Sequence, residues 1–339
     1  MSVRFIGNEK TRSRLHKLVE IDRLHGCMLF EGPRSVGKGT TALWLASMVN
    51  CEAENTTLRP CGGCWSCRQI PKGQHPDVLQ IGLDPSKTAP IISVGQARAV
   101  ISQLMVKPFH ARRRFVIIDP ADAMTAEAAN ALLKTFEDPP SQTHFVLVTS
   151  APASLLLTVR SRSQRVRFAP AQQADIQAWL EEQHVDQPSE VARLAEGCPG
   201  RALTMDLSGV EDWRHARDAF IEAVNGDVAA RFKYAESLTK GDRTKWAPKV
   251  NKSLDAMSCV LRDALAVSQN GTIVYNDDRP ELVADWAGRL GPTGVAFMAD
   301  VVADAHERLG RFVSGRLVLD AVLTQLGHAL ERGGRHASI

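Results

Sequence analysis

Over the first half of the chain, short unbroken apolar runs alternate with stretches in which apolar residues recur every three or four positions. Residues 27–31, 114–119 and 145–149 are continuous apolar runs ending in a polar residue, the pattern of parallel strands buried on both faces. Residues 77–82 and 164–168 are two further strand candidates. Between the strands, Leu43, Trp44, Ala46 and Val49 fall at helical spacing after Lys38, residues 94–106 are periodic up to Pro108, and residues 125–137 form a helix ended by Pro139-Pro140. Strands alternating with helices predict a parallel α/β sheet.

The texture changes after Pro170. No strand-like run remains, and apolar residues keep helical spacing, with a turn at Gly197-Cys-Pro-Gly200 and breaks around Asn270-Gly271, residues 277–280 and Gly291-Pro292. The layout predicted is an α/β P-loop domain with a parallel sheet over residues 1–169, a small helical unit over 170–207, and an all-helical domain over 208–339. Trp213, Trp246 and Trp286 read as packing residues of the last. A chain of 339 residues is long enough for this.

Charge narrows the function. The net charge is only +3, which argues against a whole-surface polyanion binder. The residues before Ser208 carry 24 basic and 20 acidic side chains, and those from Ser208 on carry 17 and 18. Nucleic-acid contact must therefore come from local patches in the first part. No apolar run approaches the ~20 residues of a membrane span, and the start lacks a signal-peptide stretch. Seven cysteines, four of them within residues 51–67, suit metal binding in a reducing compartment. The expected location is the cytoplasm, with no membrane partner.

Gly32-Pro-Arg-Ser-Val-Gly37-Lys38 matches a phosphate loop between a strand and a helix. Its backbone N–H groups would cradle phosphates and Lys38 would reach the outer ones. The Ser or Thr that should follow to hold Mg²⁺ is Gly39. Thr40 sits one residue on and is turned by ~100° around the helix. Asp119, after an apolar strand, is placed to hold Mg²⁺ directly or through water. The neighbouring carboxylate that orients attacking water is replaced by Pro120, with Asp122 three residues on in a turn. Gly32, Gly37, Lys38, Thr40, Asp119 and Thr149 thus form a degenerate nucleotide-binding set. ATP and Mg²⁺ are expected to bind weakly or not at all, without hydrolysis by the chain alone.

Cys61-Gly-Gly-Cys64-Trp-Ser-Cys67, with Cys51 ten positions upstream, supplies four thiolates. The spacing brings three sulfurs onto one tight turn and lets Cys51 close a tetrahedron, as in a structural Zn²⁺ site. An iron–sulfur cluster or unligated thiols are the alternatives. Cys27, Cys198 and Cys259 read as ordinary buried thiols. Two basic stretches lack acids along the chain: Arg98, Lys107, Arg112, Arg113 and Arg114, then Arg160, Arg162, Arg165 and Arg167. Both read as solvated faces. An Arg after the Thr149 strand could also reach a neighbouring chain's phosphates.

The run Ala129-Asn-Ala-Leu-Leu-Lys-Thr-Phe-Glu-Asp-Pro-Pro140 closely resembles the signature helix of clamp-loader AAA+ subunits. Residues 23–33, the four-cysteine insert, His75-Pro-Asp77, and Ser161-Arg162-Ser163 in place of Ser-Arg-Cys strengthen the likeness. The chain resembles the AAA+ subunits of the bacterial DNA polymerase III clamp loader, densely over the first 205 residues or so and only in architecture beyond.

The resemblance implies that Arg162, with Ser161, is an arginine finger inserted into the ATP site of an adjacent motor subunit. It implies that residues 130–140 shape the core beside the site, and that Cys51, Cys61, Cys64 and Cys67 hold zinc. The last domain would be a collar joining subunits into a hetero-oligomeric ring. The implied partners are gamma/tau-type motor subunits and a delta subunit, with the sliding clamp and primer–template DNA reached through the complex. Non-motor members of the family have degenerate ATP sites, as Gly39 and Pro120 suggest here. In Gly197-Cys-Pro-Gly-Arg-Ala-Leu203, Gly200 stands where the family's lid Arg belongs and Arg201 comes one place late. The function expected is that of a non-motor scaffold and trans-activator of clamp loading in DNA replication. A motor subunit of the same complex would need Ser or Thr at 39 and an acid at 120. A small-molecule P-loop kinase would need a Mg²⁺ hydroxyl and a second pocket, and would leave the third domain unexplained.

Overall fold

The five strand candidates pair into one parallel sheet in the computed structural model, which describes residues 4–84, 91–205, 207–310 and 314–332. The strands β1 (Cys27–Glu31), β2 (Val78–Ile81), β3 (Arg114–Ile118), β4 (Thr143–Thr149) and β5 (Gln164–Arg167) run in the order β2-β3-β4-β1-β5. The three longest apolar runs become the three inner strands and are buried along their whole length. β2 and β5 lie at the edges and are partly exposed. β4 starts two residues before its apolar run, because Thr143 and His144 are buried although polar. His144 bonds through Nδ1 to the His25 carbonyl.

Successive side chains of the inner strands serve opposite faces. Met28, Phe30, Phe115, Ile117, Val146 and Val148 pack against helices α1 (Glu9–Glu20) and α2 (Lys38–Val49), beyond which lies the short α3 (Trp65–Gln69). Cys27, Leu29, Val116, Ile118, Phe145 and Leu147 pack against α4 (Val94–Leu104), α5 (Ala126–Glu137) and α6 (Leu157–Ser161). Ser93 and Gln96 form a capping box on α4, and Thr125 caps α5 by accepting the Ala128 N–H. Three more helices, α7 (Gln173–Glu182), α8 (Pro188–Leu194) and α9 (Pro199–Thr204), complete a compact unit that ends at Thr204.

His75-Pro-Asp77 has a structural part. The nearly inaccessible Asp77 carboxylate accepts the N–H groups of Phe109, His110 and Ala111 at 2.7–2.9 Å. It also meets the buried Arg114 guanidinium, which donates to the carbonyls of Gln103 and Val106. Burial raises the Asp77 pKa, but these donors outweigh it and hold the carboxyl below its ordinary value. A depressed folded-state pKa stabilises above the unfolded value near 4, and the stabilisation is lost as pH falls through the folded value. Asp77→Asn, which keeps an acceptor but leaves Arg114 buried without its counter-charge, should therefore cost about 2–4 kcal/mol at pH 7. The penalty should shrink below about pH 4. Equal urea midpoints for both proteins at pH 7 would dismiss this account.

The second unit, Met205–Ile339, is helical wherever it is described as regular structure. It contains α10 (Leu207–Asn225), α11 (Val228–Leu238), α12 (Arg243–Ser268), α13 (Pro280–Gly310) and α14 (Gly315–Glu331) around a core centred on Trp286, Leu254, Met257 and Leu319. Trp213 is buried and Trp246 packs against the core, its ring lying where a side chain on Gly315 would stand. The expected break at Gly291-Pro292 is present as a non-helical kink at which two helical segments of α13 meet. Gly291 takes the left-handed φ of 62° and helix resumes beyond it. Two breaks not foreseen separate α10 from α11 and α11 from α12; Asp227 caps α11 by accepting the Ala230 N–H. The last described helix, α14, runs to Glu331, and positions 333–339 lie outside the described residues. Among the described residues no helix is long and apolar enough to cross a membrane.

Candidate functional site

The carboxyl ends of β2, β3 and β4 and the loop that follows β1 converge on a cleft of about 770 Å³. Glycine is required at the start of its phosphate loop, since a Cβ on Gly32 would lie 2.3 Å from the Phe168 carbonyl oxygen. Gly37, at φ 99°, opens α2. Lys38 is buried, and its ammonium donates to the loop's own Gly32 and Pro33 carbonyls at 2.7 and 2.5 Å. Burial pulls its pKa down, opposed by the nearby Asp119.

Asp119 follows β3 and faces Gly39. A Cβ at 39 would lie 2.7 Å from Asp119 Oδ2, the mobile end of that side chain, so the carboxylate stands directly beside residue 39. Burial raises the Asp119 pKa, with Lys38 acting in the other direction. Thr40 is exposed on α2, and the Thr41 hydroxyl donates to the Gly37 carbonyl at 2.8 Å. Pro120 has no charge to offer. Asp122 accepts the Thr149 hydroxyl at 2.5 Å, which ties the β4 end to the turn after β3. From the first turn of α9, the Gly200 N–H donates to the Ser35 carbonyl at 2.9 Å, and a side chain at 200 would strike that oxygen. Arg201 pairs with Glu196.

The insert after α2 gathers its thiols. The sulfurs of Cys51, Cys61, Cys64 and Cys67 all lie within 4.8 Å of one another. Four sulfurs ~2.3 Å from a central metal ion define a tetrahedron with edges of ~3.8 Å, so a small contraction would close a metal site. Backbone N–H groups of Cys61, Cys64 and Cys67 point at the sulfurs of Cys51, Cys61 and Cys64 at 3.4 Å. N–H donors from Cys64 and Gly63 lower the Cys61 thiol to about 6, while burial pushes the Cys67 thiol up. Glu52 ties the two ends of the insert by accepting the Ser66 N–H and hydroxyl at 3.1 and 3.0 Å.

Arg162 caps the C-terminus of α6 and keeps a third of its side chain in solvent. Its Nε donates to Glu137 Oε2 at 2.9 Å and its Nη1 to the Thr158 carbonyl at 3.3 Å. The Ser161 hydroxyl also donates to Thr158 O. Leu157, at the start of α6, is 70 % exposed. The structure therefore gathers Gly37, Lys38, Thr40, Asp119 and Thr149 around one cleft, with Gly32 bonded to Lys38, the four cysteines in one cluster, and Arg162 at the end of α6.

Residues 7–172 match the family model described as "DNA polymerase III, delta subunit". The chain is 29 % identical to DNA polymerase III subunit delta' of Escherichia coli (strain K12) over 330 residues, 95 % of this chain and 96 % of that one. It is 30 % identical to subunit delta' of Bacillus subtilis (strain 168) over 274 residues, 78 % of this chain and 79 % of that one. The chain belongs to the delta prime family of DNA polymerase III subunits. Subunit gamma/tau of Mycobacterium tuberculosis (strain ATCC 25618 / H37Rv) is more distant, at 26 % identity over 95 % of this chain and 60 % of that one.

Two carboxylates of this delta prime family member escaped sequence reasoning. Glu31, buried at the end of β1, accepts Arg165 and Arg167 at 2.9–3.1 Å. Glu137, the last residue of α5, accepts Arg162. Arg113 likewise pairs with Asp22 at 2.9 Å and Arg114 with Asp77 at 3.4 Å. Arg113 and Arg114 of the first basic stretch, and Arg162, Arg165 and Arg167 of the second, thus face acids in space. A partial signal existed for Glu31, a carboxylate closing an apolar run, but nothing nearby indicates its partners.

Proposed function

We propose that the chain is the non-motor subunit of the DNA polymerase III clamp loader, scaffolding the ring and supplying Arg162 in trans to a neighbouring ATPase subunit. The observation that carries this reading is that the residue facing the Asp119 carboxylate is Gly39, which brings no hydroxyl to it. A Mg²⁺-dependent hydrolase needs a hydroxyl there and an acid at 120, and this chain has glycine and proline. Membership of the delta prime family supports the rest. Residues 1–169 form the AAA+ core, 170–207 the lid and 208–339 the collar. The ring also holds gamma/tau-type motor subunits and a delta subunit, and acts in the cytoplasm on the sliding clamp and primed DNA. Arg162 reaches the partner's phosphates from α6, where the exposed Leu157 supplies an apolar contact beside it.

Zn²⁺ is the metal that best suits the four-thiol set. With all four positions filled by sulfur, the site staples the insert and leaves no place for an activated water.

The purified single chain should show no ATP turnover above background, with Lys38→Ala indistinguishable from the unsubstituted protein. Robust turnover that disappears in Lys38→Ala would overturn the reading and make the chain a motor subunit.

A further inference from the structure

The guanidinium of Arg162 is bonded through Nε and Nη1, and this has a consequence for its action on the partner's ATP. We propose that Glu137 is a positioning residue for the finger, fixing the Nε edge so that the distal edge faces outward; the proposal rests on the trans role of Arg162. The Nε–Oε2 contact of 2.9 Å and the Nη1 contact to Thr158 O at 3.3 Å fix the plane of the group. Nη2 has no partner among the described residues. Held in this way, the arginine presents Nη2 and the second N–H of Nη1 as a fork toward an anionic oxygen.

Both mounts are rigid. Glu137 ends α5 next to Phe136, which is buried and edge-on to Phe145 at 5.1 Å. The next turn is fixed where Pro139 fills the space beside Gly26. On the other side, Arg162 N donates to the carbonyl of the fully buried Val159. The following residue, Ser163, bonds to Val159 O at 2.8 Å and Cys27 Sγ at 3.3 Å. The bridge between these mounts lies at the surface, with Glu137 63 % exposed. Water screens the pair, so the carboxylate directs the guanidinium without neutralising it in a dry site. A four-bond side chain that is already aimed loses less freedom when it meets its target.

The test is steady-state, DNA-stimulated ATPase of the reconstituted complex carrying Glu137→Ala, Glu137→Gln, Arg162→Ala, or Glu137→Ala with Arg162→Ala. Glu137→Ala should lower kcat by about threefold to tenfold with KM for ATP unchanged, the scale expected for a screened pair that aligns a reacting group. Glu137→Gln, whose side-chain oxygen still accepts from Nε, should restore most of the rate. Adding Glu137→Ala to Arg162→Ala should change nothing further. A rate unchanged or increased in Glu137→Ala, or a loss that persists without Arg162, overturns the proposal. A silent Arg162→Ala removes the finger and the proposal together, whereas a slow Arg162→Ala beside a silent Glu137→Ala removes only the latter.

Discussion

Arg162→Ala should lower ATP turnover at the site it serves by about a thousandfold, as expected for an arginine finger, and leave assembly of the complex intact. The finger stabilises negative charge developing on the transferred phosphoryl group, an interaction absent from the ground state, so the loss falls on kcat. Folding should hardly change. The Arg162–Glu137 pair lies at the surface, where such pairs contribute at most about 1 kcal/mol. Arg162→Lys should recover little, because an ammonium cannot reproduce the planar fork. The measurement is DNA-stimulated ATPase of the reconstituted complex, with size-exclusion chromatography to establish that the ring forms. Full turnover by an assembled Arg162→Ala complex would show that no finger acts from this position.

Metal analysis of the purified chain should find about one Zn²⁺ per molecule, and stripping it should release the insert around Cys61. Structural zinc sites in isolated peptides bind with ~10–16 kcal/mol of apparent free energy, most of which is folding free energy. Here the insert is mounted on a sheet with its own core, to which Ile70 contributes at its end. The loss should therefore be local. Chelation, or Cys67→Ser, should expose residues 52–66 to protease while the β1–β4 core stays cooperative. Cys51 and Cys67 are the buried pair of the cluster and Cys61 the exposed corner, so Cys67→Ser should be the more damaging of Cys67→Ser and Cys61→Ser. Iron in place of zinc, or a metal-free protein prepared under reducing conditions with an equally protected insert, would contradict the assignment.

Parallel strands buried on both faces write themselves as unbroken apolar runs, which is why β1 and β3 are legible to within a residue. β4 is longer than its run because Thr143 and His144 find burial and bonding partners that no local pattern announces. The separation of α11 from its neighbours was missed for a related reason. Gly226-Asp227 and Gly241-Asp242 interrupt the periodicity only briefly, and short interruptions also occur within helices. At Gly291-Pro292 the signal was real but its outcome was open. Whether chain direction changes or merely bends there depends on packing to either side, here on the core around Trp286.

What this sequence determined by itself is chemistry that resides in single residues and their spacing. A glycine at 39 has no hydroxyl and a proline at 120 has no carboxylate in any fold, and four thiols spaced 51, 61, 64 and 67 can converge on one turn. The tertiary structure alone decided which charges meet. Arg113 pairs with Asp22 from 91 residues away, Arg165 with Glu31 from 134, and Arg162 with Glu137 from 25. It also decided that Asp119 stands beside Gly39 and that Lys38 turns back on its own loop. Charge pairing and steric exclusion depend on separation in space, and in a parallel sheet, where every neighbouring strand is reached by a crossover, that separation bears no relation to distance along the chain.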